Sequence, residues 1–405
     1  MNPTSNYRGA VVVIPTRNRA QLAVNAARSV IEKPVDDAWV LVSDNSTAEN
    51  ERRQLETFCT TLGHPRLRYL RPPQALPMPA HWQWAIEQAL ANNNASHFIY
   101  LTDRMMFKNG ALTELLDLAA VYPDKVISYN HDRICDHTRP IRFEEYEVTE
   151  KLLEVDSERL LWLTSEAILH HGLPRMLNCI VPRRVLEQIG ERFGNVFSSI
   201  APDFNFCFRC LDLEPSILFY DKSPLFHYAL DRSLGASGSR GESTPELDDF
   251  AANLAVDSLN RNYATPIPSL ITATNAVFNE YLIYKQETQS PRFPEVNLEN
   301  YLRANAAEVM EVGDPELRAR THALLVQHGY REEIGERSTR RRLHSVVHKL
   351  KNLGKKTPAA SAREFGSLDE AINYARTFSR GNVSSWTWGA DALQGRELPV
   401  ETQVG

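Results

Sequence analysis

The first 130 residues alternate between short apolar runs and amphipathic stretches, and this alternation constrains the fold most. Two runs, AVVVIP at 10–15 and WVLVSD at 39–44, have the continuous apolar character of buried parallel strands. The stretch between them, RAQLAVNAARSVIEK, has apolar residues at helical spacing. LRYL, HFIYL and KVISYN repeat the strand pattern, with helical HWQWAIEQALA and GALTELLDLAAVY between them. This βαβα order predicts an α/β fold, a mostly parallel central sheet flanked by helices.

Polar residues follow these predicted strands, at the edge where open α/β sheets bind ligands. They are Pro15, Thr16, Arg17, Asn18 and Arg19 after the first strand; Asp44, Asn45 and Ser46 after the second; Thr102, Asp103 and Arg104 after the fourth; and Asn130, His131, Asp132 and Arg133 after the fifth. Each group alone could be a helix cap or a turn. Four such groups together predict a binding site.

No glycine-rich phosphate loop accompanies these strands. Neither GxGxxG nor GxxxxGK[ST] occurs in the sequence, which argues against a classical dinucleotide site or a P-loop. A nucleotide at this edge would be held in another way.

Composition sets the remaining broad limits. The 405 residues predict one large domain with appendages, or two domains. A net charge of −6, with 42% hydrophobic and 24% charged residues, is ordinary for a soluble protein and argues against a nucleic-acid-coating surface. The five cysteines are scattered and odd in number, which favours a reducing compartment, and Cys207 and Cys210 are expected as buried thiols. MNPTSNYRG lacks a signal-peptide core, so we expect a cytoplasmic protein.

Three ordered motifs resemble a known family. VVVIPTRNR, VLVSDNST and FIYLTDRMMFKNGALTELL are similar to the nucleotide-binding half of family 2 glycosyltransferases, which have the GT-A fold, over roughly residues 9–230. The resemblance implies inverting transfer of a sugar from a nucleoside diphosphate. It also implies that Pro15, Thr16, Arg17 and Arg19 hold the nucleoside, that Asp44 accepts a hydrogen bond from the base, and that Asp103 contacts the ribose or a metal. A turn residue in DNS is an equally good interpretation of Asp44.

The resemblance continues downstream at Asp203, in FSSIAPDFNFCFRCLD. The family carries ED or DD before this helix, and its acid deprotonates the acceptor hydroxyl; here the pair is Pro202 and Asp203. The dipoles of the helix N-terminus keep such a carboxylate ionised, as a base requires, whereas a simple N-cap is the other interpretation. The resemblance also implies diphosphate or metal contacts for His227, although a lone histidine near a strand end is more often a hydrogen-bonded surface or core residue. The loop 233–241 is a candidate to close over the donor, and Arg232 and Arg240 are candidates for diphosphate contacts.

The sequence departs from the family at Arg104. Members of the family commonly have a further carboxylate at this strand end, which binds Mg²⁺ or Mn²⁺ and neutralises the leaving diphosphate. A guanidinium cannot ligate a cation, but it can supply the positive charge itself. Two hypotheses follow: an enzyme that is wholly or partly metal-independent, or a catalytically degenerate binding module.

Other segments give coarser expectations. Residues 144–172 resemble an insertion with one or two helices, Trp82 and Trp84 could stack on a ligand or belong to the core, and His170 and His171 precede a glycine suited to close contact with a ligand. SILFYDKSPLFHYAL predicts a strand pair, residues 245–330 are expected to be helical, and the final GRELPVETQVG is expected to be a tail.

The segment 337–356, RSTRRRLHSVVHKLKNLGKK, has the pattern of a basic amphipathic helix. Such a helix can lie on an anionic membrane surface or dock on the acidic protein body.

These patterns lead to one working interpretation of the chain. Residues 1–232 form a GT-A core, 233–335 a lid loop and helical extension, and 336–405 a basic helix with a C-terminal helix and tail. The expected function is transfer from a UDP-sugar to a glycan or lipid-linked acceptor in polysaccharide or glycoconjugate synthesis. Expected partners are these substrates, without nucleic acid, and the expected location is the cytoplasm, with a peripheral site on the inner membrane face as an alternative. A sugar nucleotidylyltransferase is disfavoured because the glycine-rich opening loop is missing.

Overall fold

The structure is a computed structural model that describes residues 9–32, 38–91, 94–145, 148–232, 263–270, 272–331, 363–378 and 393–400. Its strands are β1 Ala10–Thr16, β2 Ala38–Asp44, β3 Leu67–Leu70, β4 His97–Tyr100, β5 Met105–Phe107, β6 Ile127–Cys135, β7 Ile141–Glu144, β8 Leu152–Asp156, β9 Cys179–Pro182, β10 Ser216–His227, β11 Arg363–Phe365 and β12 Arg396–Leu398. The helices are α1 Ala20–Ile31, α2 Glu49–Leu62, α3 Met78–Leu90, α4 Ala111–Val121, α5 Ser157–Ser165, α6 Arg183–Phe193, α7 Pro202–Leu213, α8 Ala273–Thr288, α9 Leu298–Val309, α10 Pro315–Gln327 and α11 Leu368–Thr377. The loop 233–241, Arg240 and the basic segment 337–356 lie outside the described residues.

All described strands join one mixed sheet, in the order β12-β8-β10-β6-β9-β4-β1-β2-β3. The neighbours β3, β2, β1 and β4 are parallel, and β6 and β10 are also parallel. Strand β9 runs antiparallel between β4 and β6, while β5 pairs with the end of β10 and β7 joins β6 to β11. The predicted α/β class is therefore confirmed, and the parallel half of the sheet carries the predicted strand ends.

Helices cover both faces of the sheet. Helices α1, α2 and α4 bury one set of apolar residues with the alternating inward positions of β1 and β2. Helices α3, α5, α6, α7 and α8 bury the second set, which includes all of the aromatic side chains that α7 contributes to the core. Burial of two apolar faces is the expected consequence of strands that are apolar along their whole length.

Helices α8, α9 and α10 follow α7 against the second face. Helix α8 packs on α7, and a small separate core of Ile267, Phe278, Tyr301 and Leu325 holds the three helices together. Of the stretch 245–330 that was expected to be helical, residues 273–327 are helical apart from the short connections, residues 263–270 form bends and turns instead, and residues 245–262 lie outside the described residues. Within the described residues, the helices lack the length and the apolar character needed to cross a membrane.

Four local expectations need correction. Residues 144–172 contain strand β8 as well as helix α5, and residues 130–133 continue strand β6 instead of following its end. The expected strand pair at 216–227 is a single strand, β10, whose register shifts between Tyr220 and Leu225. Pro224 lies in this interval, and a proline has no N–H to donate to the ladder.

The fourth correction concerns the expected tail. Arg396–Leu398 form β12, which pairs antiparallel with β8 at the margin of the sheet. The side chain of Lys151 reinforces this pairing with a 2.9 Å ion pair to Glu397.

Candidate active site

The loops after β1 and β2 are fastened to each other at the carboxyl edge of the sheet. Asn18 adopts a left-handed conformation with φ of 54°, which asparagine tolerates better than most residues. Its Oδ1 accepts hydrogen bonds from the backbone N–H groups of Thr47 and Ala48, both at 2.9 Å, and its own N–H donates to Ser46 Oγ at 2.9 Å. The two loops therefore form one preorganised wall.

Asp103 lies at this edge with only 3% of its surface exposed. Its Oδ2 accepts a 2.8 Å hydrogen bond from Thr16 Oγ1, and Arg19 contacts its Oδ1 at 3.4 Å. Arg19 also donates to the backbone carbonyl of Arg232 at 3.1 Å. The structure thus brings together four of the sequence-predicted residues, from the ends of three strands, and pairs the Asp103 carboxylate with a cation.

Asp44 is fully buried at the end of β2. Its Oδ1 accepts from the N–H of Ser46 at 2.8 Å, which is the local turn bond that the DNS interpretation expects, and its Oδ2 accepts from Tyr69 Oη at 2.7 Å. Burial raises the pKa of Tyr69 well above its ordinary value, and the bond to Asp44 adds to this shift. Arg71 Nε lies 3.9 Å from the same Oδ2. Direct contact between Asp44 and a base stays a prediction.

A polar cavity of about 220 Å³ opens beside Asp44, between Asn45 and the segment 71–75. Asn45 fixes this segment through two hydrogen bonds with the backbone of Leu76, at 2.7 and 2.9 Å, and Arg17 donates to the Leu76 carbonyl at 3.4 Å. In the interior next to this segment, Ser43 Oγ lies 2.8 Å from Nε2 of the buried His81. Burial, followed by the charge of Arg17, lowers the pKa of His81 to about 3, so this histidine is a neutral hydrogen-bonding group.

Arg104 and His227 meet where β5 pairs with the end of β10. Met105 lies opposite His227 in this ladder, and the N–H of Tyr228 donates to the Arg104 carbonyl at 3.0 Å. The ring of His227 stacks on His131, with 4.2 Å between centroids and an interplanar angle of 19°. Burial lowers the pKa of His227 well below its usual value, and the neighbouring His131 and Arg104 lower it further. The neutral imidazole pair therefore lies beside the Arg104 cation.

Asp203 lies in the first turn of α7, directly after Pro202. The side chain is half-buried, and desolvation raises its pKa, whereas the charge of Arg175 and the N–H groups of Phe204 and Asp203 lower it. Arg175 and Phe204 line a second cavity, of about 160 Å³, together with His131 and His171. The predicted base thus lies next to Phe204, which lines this cavity, and the charge of a second lining residue, Arg175, acts on its carboxyl group.

Glu280 of helix α8 supports the loop before Asp203. Only 1% of its surface is exposed; Ser199 Oγ donates to its Oε1 at 2.6 Å, and Asn205 Nδ2 lies 3.5 Å from its Oε2. Burial raises the pKa of Glu280 to about 8, and the nearby Asp203 carboxylate contributes to this shift. The helical region after the core therefore fixes the start of the helix that carries Asp203.

The donor set at Asp103 does not fit Mg²⁺ or Mn²⁺. These ions take several oxygen ligands, whereas Asp103 is already paired with Arg19 and is followed by the cation Arg104. In the part of the chain that the structure describes, no three His, Cys, Asp or Glu side chains are placed to hold a metal ion. The five cysteines are all buried free thiols, as expected for Cys207 and Cys210.

Several residues of this region carry no motif in the sequence. Tyr69, Arg71, Arg175 and Glu280 come from segments outside the strand-end motifs and reach the site only through the fold. Trp82 is core, packed against Tyr100 at 5.2 Å between centroids, and Trp84 packs partly buried against the same core. Gly172, which was expected to lie close to a ligand, makes two hydrogen bonds within the protein. Its N–H donates to His170 Nδ1 and its carbonyl accepts from Ser128 Oγ, each at 2.8 Å.

A comparison with known protein families found a match to the segment that contains the polar strand ends. Residues 11–172, which contain β1, β2, β4 and their polar ends, match the model of the family described as glycosyl transferase family 2. The match confirms that this segment resembles family 2 glycosyltransferases, as the three motifs predict. The mixed, helix-flanked sheet is the arrangement that this family implies. Comparison with curated proteins found no match.

Solved structures of TarS from S. aureus also resemble this chain. One TarS structure matches with a TM-score of 0.41 and 12% identity, over 78% of this chain and 52% of TarS, so the chain spans about half of that protein. A structure of TarS residues 1–349 in complex with UDP-GlcNAc matches with a TM-score of 0.43 and 12% identity, over 79% of this chain and 89% of that one. The UDP complex of the same TarS fragment gives a TM-score of 0.42, with 12% identity and coverage of 79% and 88%.

Proposed function

We propose that this protein is a glycosyltransferase that transfers a sugar from a nucleoside-diphosphate sugar, with UDP as the nucleotide, to a glycan or lipid-linked acceptor and inverts the anomeric configuration. The observation that carries the proposal is the row of groups along one sheet edge. It begins at the loops after β1 and β2, passes Asp103, Arg104 and His227, and ends at Asp203. This order matches a nucleoside, a diphosphate and a reacting sugar laid along the edge.

Asp203 is the proposed base. Its carboxylate would take the proton of an acceptor hydroxyl while the hydroxyl oxygen attacks the anomeric carbon and the bond from that carbon to the diphosphate oxygen breaks. The electron pair of that bond leaves on the nucleoside diphosphate. Desolvation raises the pKa of Asp203, and a carboxylate with a raised pKa is a stronger base. One displacement of this kind inverts the anomeric centre.

Arg104 is the proposed partner of the leaving diphosphate. The unsuitable donor set at Asp103 supports direct charge stabilisation by this guanidinium in place of a metal. Neutral His227 and His131 beside it can donate N–H groups to phosphate oxygens without requiring protonation. The biological context that fits such a transfer is the synthesis of a polysaccharide or glycoconjugate.

A catalytically degenerate nucleotide-sugar or glycan binding module is the second candidate. The replacement of a metal-binding carboxylate by Arg104 is the observation that favours it. Such a module would bind donors but would neither transfer nor hydrolyse them.

The test combines binding and turnover. A panel of UDP-, GDP- and dTDP-sugars is screened for an increase in melting temperature, since a ligand that binds only the native state stabilises it in proportion to its affinity. Each stabilising donor is then assayed for hydrolysis and for transfer to glycan and lipid-linked acceptors. Stabilisation with turnover supports the enzyme, stabilisation without turnover supports the binding module, and no stabilisation by any sugar nucleotide would sink both.

A further inference from the structure

The second cavity, next to the start of helix α7, is lined mostly by basic and aromatic side chains and by no acidic ones. Its lining includes His131, His170, His171, Arg175 and Phe204, and it contains neither aspartate nor glutamate. The Arg175 guanidinium lies over the ring of Phe204, 5.6 Å from its centroid. The wall therefore presents a cation and imidazoles around a volume of about 160 Å³, which is large enough for a phosphate or carboxylate group.

Hydrogen-bonding capacity is left over at Arg175, which lines the cavity, and at His227, which does not line it but stacks on the lining residue His131. Arg175 Nε and Nε2 of His227, the ring stacked on His131, are buried and lack a hydrogen-bond partner among the described residues. A buried donor without a partner costs free energy, and a desolvated cation costs more unless an anion compensates it. An anionic ligand would supply the missing acceptor and would also interact favourably with the guanidinium charge.

Two of the histidines that line the cavity, His131 and His171, are neutral and can donate hydrogen bonds. Burial lowers the pKa of His131 to about 3 and that of His171 to about 4, and the charge of Arg175 contributes in both cases. A neutral imidazole can donate one N–H to an anion. Arg175 thus carries the positive charge of the wall, and the imidazoles orient the ligand.

We infer that this cavity binds an anionic group of a substrate, a phosphate or a carboxylate, with Arg175 as its principal partner and His131 and His171 as N–H donors. The inference rests on the proposed function, which places the transfer of the sugar at Asp203 next to this wall. Two sources can supply the group: the diphosphate of the donor, or a separate anionic substituent on the transferred sugar or on the acceptor.

The first experiment titrates inorganic phosphate into the wild-type protein and into Arg175→Gln. Loss of a hydrogen-bonded charge partner is expected to weaken phosphate binding at least about tenfold. Arg175→Lys keeps the charge and should retain part of the affinity. Arg320→Gln, an exposed arginine on α10, is the matched control and should bind phosphate as the wild type does.

Thermal unfolding separates ligand binding from a structural role. Because Arg175 also interacts favourably with the Asp203 carboxylate, the melting temperature of Arg175→Gln without ligand is measured first, and the effect of phosphate is taken as the increase above that value in each protein. Phosphate should then stabilise the wild type but not the variant. A folded Arg175→Gln protein that binds phosphate with wild-type affinity, or phosphate binding in neither protein, would overturn the inference.

The second experiment assigns the source of the anionic group by repeating the phosphate titration with UDP at saturation. Phosphate binding that persists in UDP-saturated wild type and is lost in Arg175→Gln assigns the cavity to a separate anionic group on sugar or acceptor. Competition between phosphate and UDP, with UDP affinity also reduced in the variant, assigns the cavity to the donor diphosphate. The proposed function fails separately, if no sugar nucleotide binds or reacts while phosphate still binds.

Discussion

Burial and the charge of Arg175 act on Asp203 in opposite directions: the first raises its pKa and the second lowers it. The carboxylate therefore stays available as a base while gaining basicity from its surroundings. Sequence alone leaves Asp203 between a cap and a base, because both occupy the first turn of a helix. The surroundings of the side chain, which only the fold provides, favour the base.

Replacing Asp203 by Asn should lower kcat for sugar transfer by about 10²–10⁴-fold, the usual contribution of a general base. Donor affinity should stay near the wild-type value, because the carboxylate contacts the acceptor. Steady-state kinetics and calorimetric donor binding measure the two effects. Asp124→Asn, at a highly exposed aspartate, is the control. Unchanged turnover in Asp203→Asn would remove this residue from the mechanism.

If Arg104 stabilises the leaving group, transfer should proceed at the same rate in excess EDTA as in Mg²⁺ or Mn²⁺. Arg104→Met should then lower kcat by roughly 10²-fold, the typical effect of removing one group that stabilises developing charge, and Arg104→Lys should recover part of it. Rates measured with and without chelator test this directly. Activity that disappears on chelation and returns with Mn²⁺ would contradict the metal-independent mechanism.

Among the secondary-structure elements, helix α8 has a role that reaches beyond packing. Glu280 on this helix holds the loop before α7 through Ser199, and its other charged or titratable neighbours are Asp203, Tyr263 and Arg209. Because its folded pKa of about 8 exceeds the ordinary value of 4.5, the native state binds an extra proton between these two values. Stability due to this group is therefore present at low pH and is lost as the pH rises towards 8.

Glu280→Gln removes this titration while keeping the shape of the side chain. The variant should gain stability over the wild type as the pH rises from 5 to 8, by on the order of 1 kcal/mol per pH unit. Melting temperatures of the two proteins across this pH interval give the comparison. A difference that is constant with pH would show that Glu280 does not titrate in the folded protein.

Strand β12 gives a prediction about packing at the margin of the sheet. A Cβ at Gly395 would lie 2.8 Å from the backbone oxygen of Glu154 and 3.1 Å from Val155 Cγ2. Gly395→Ala should therefore displace β12 and destabilise the protein by about 1–3 kcal/mol, the usual cost of overpacking. Gly313→Ala has open space around its Cβ and is the control in thermal unfolding. Equal melting temperatures of the two variants would argue against the close pairing of β12 with β8.

The strands and helices that were predicted correctly share one property: each has its full pattern of apolar residues within its own segment. Strands β1, β2 and β4 are mostly apolar, and helices α1 and α4 repeat apolar residues at helical spacing. Strand β8 escaped prediction because it lies in a stretch whose pattern resembled an insertion with helices, and β12 escaped because its three residues are too few to show a strand pattern. Arg175 and Glu280 could not be predicted as site residues, because their neighbours in the site come from segments that are distant in sequence.

For the molecule as a whole, the basic segment 337–356 keeps its two interpretations, a membrane-surface helix or a helix on the acidic body. We expect the protein to co-sediment with vesicles that contain anionic lipid and not with neutral vesicles, because each basic residue near such a surface contributes about 1 kcal/mol. Replacing Arg340, Arg341 and Arg342 by Gln should weaken this binding. Equal sedimentation with both kinds of vesicle, or with neither, would favour docking on the protein.

The pairing of β12 with β8 has a consequence for the synthesis of this protein on the ribosome. Lys151 and Glu397, which contact each other across the two strands, are 246 residues apart, and Tyr122 reaches the carbonyl of Pro399 across 277 residues. Domains generally fold in order as the chain emerges, but this sheet cannot gain β12 until residues 396–398 have been synthesised, long after β8. During that delay β8 is an unpaired edge, the kind of edge that recruits other chains. Nascent chains should therefore depend on chaperones in the interval between the synthesis of β8 and that of β12, and a truncation that removes β12 should reduce solubility.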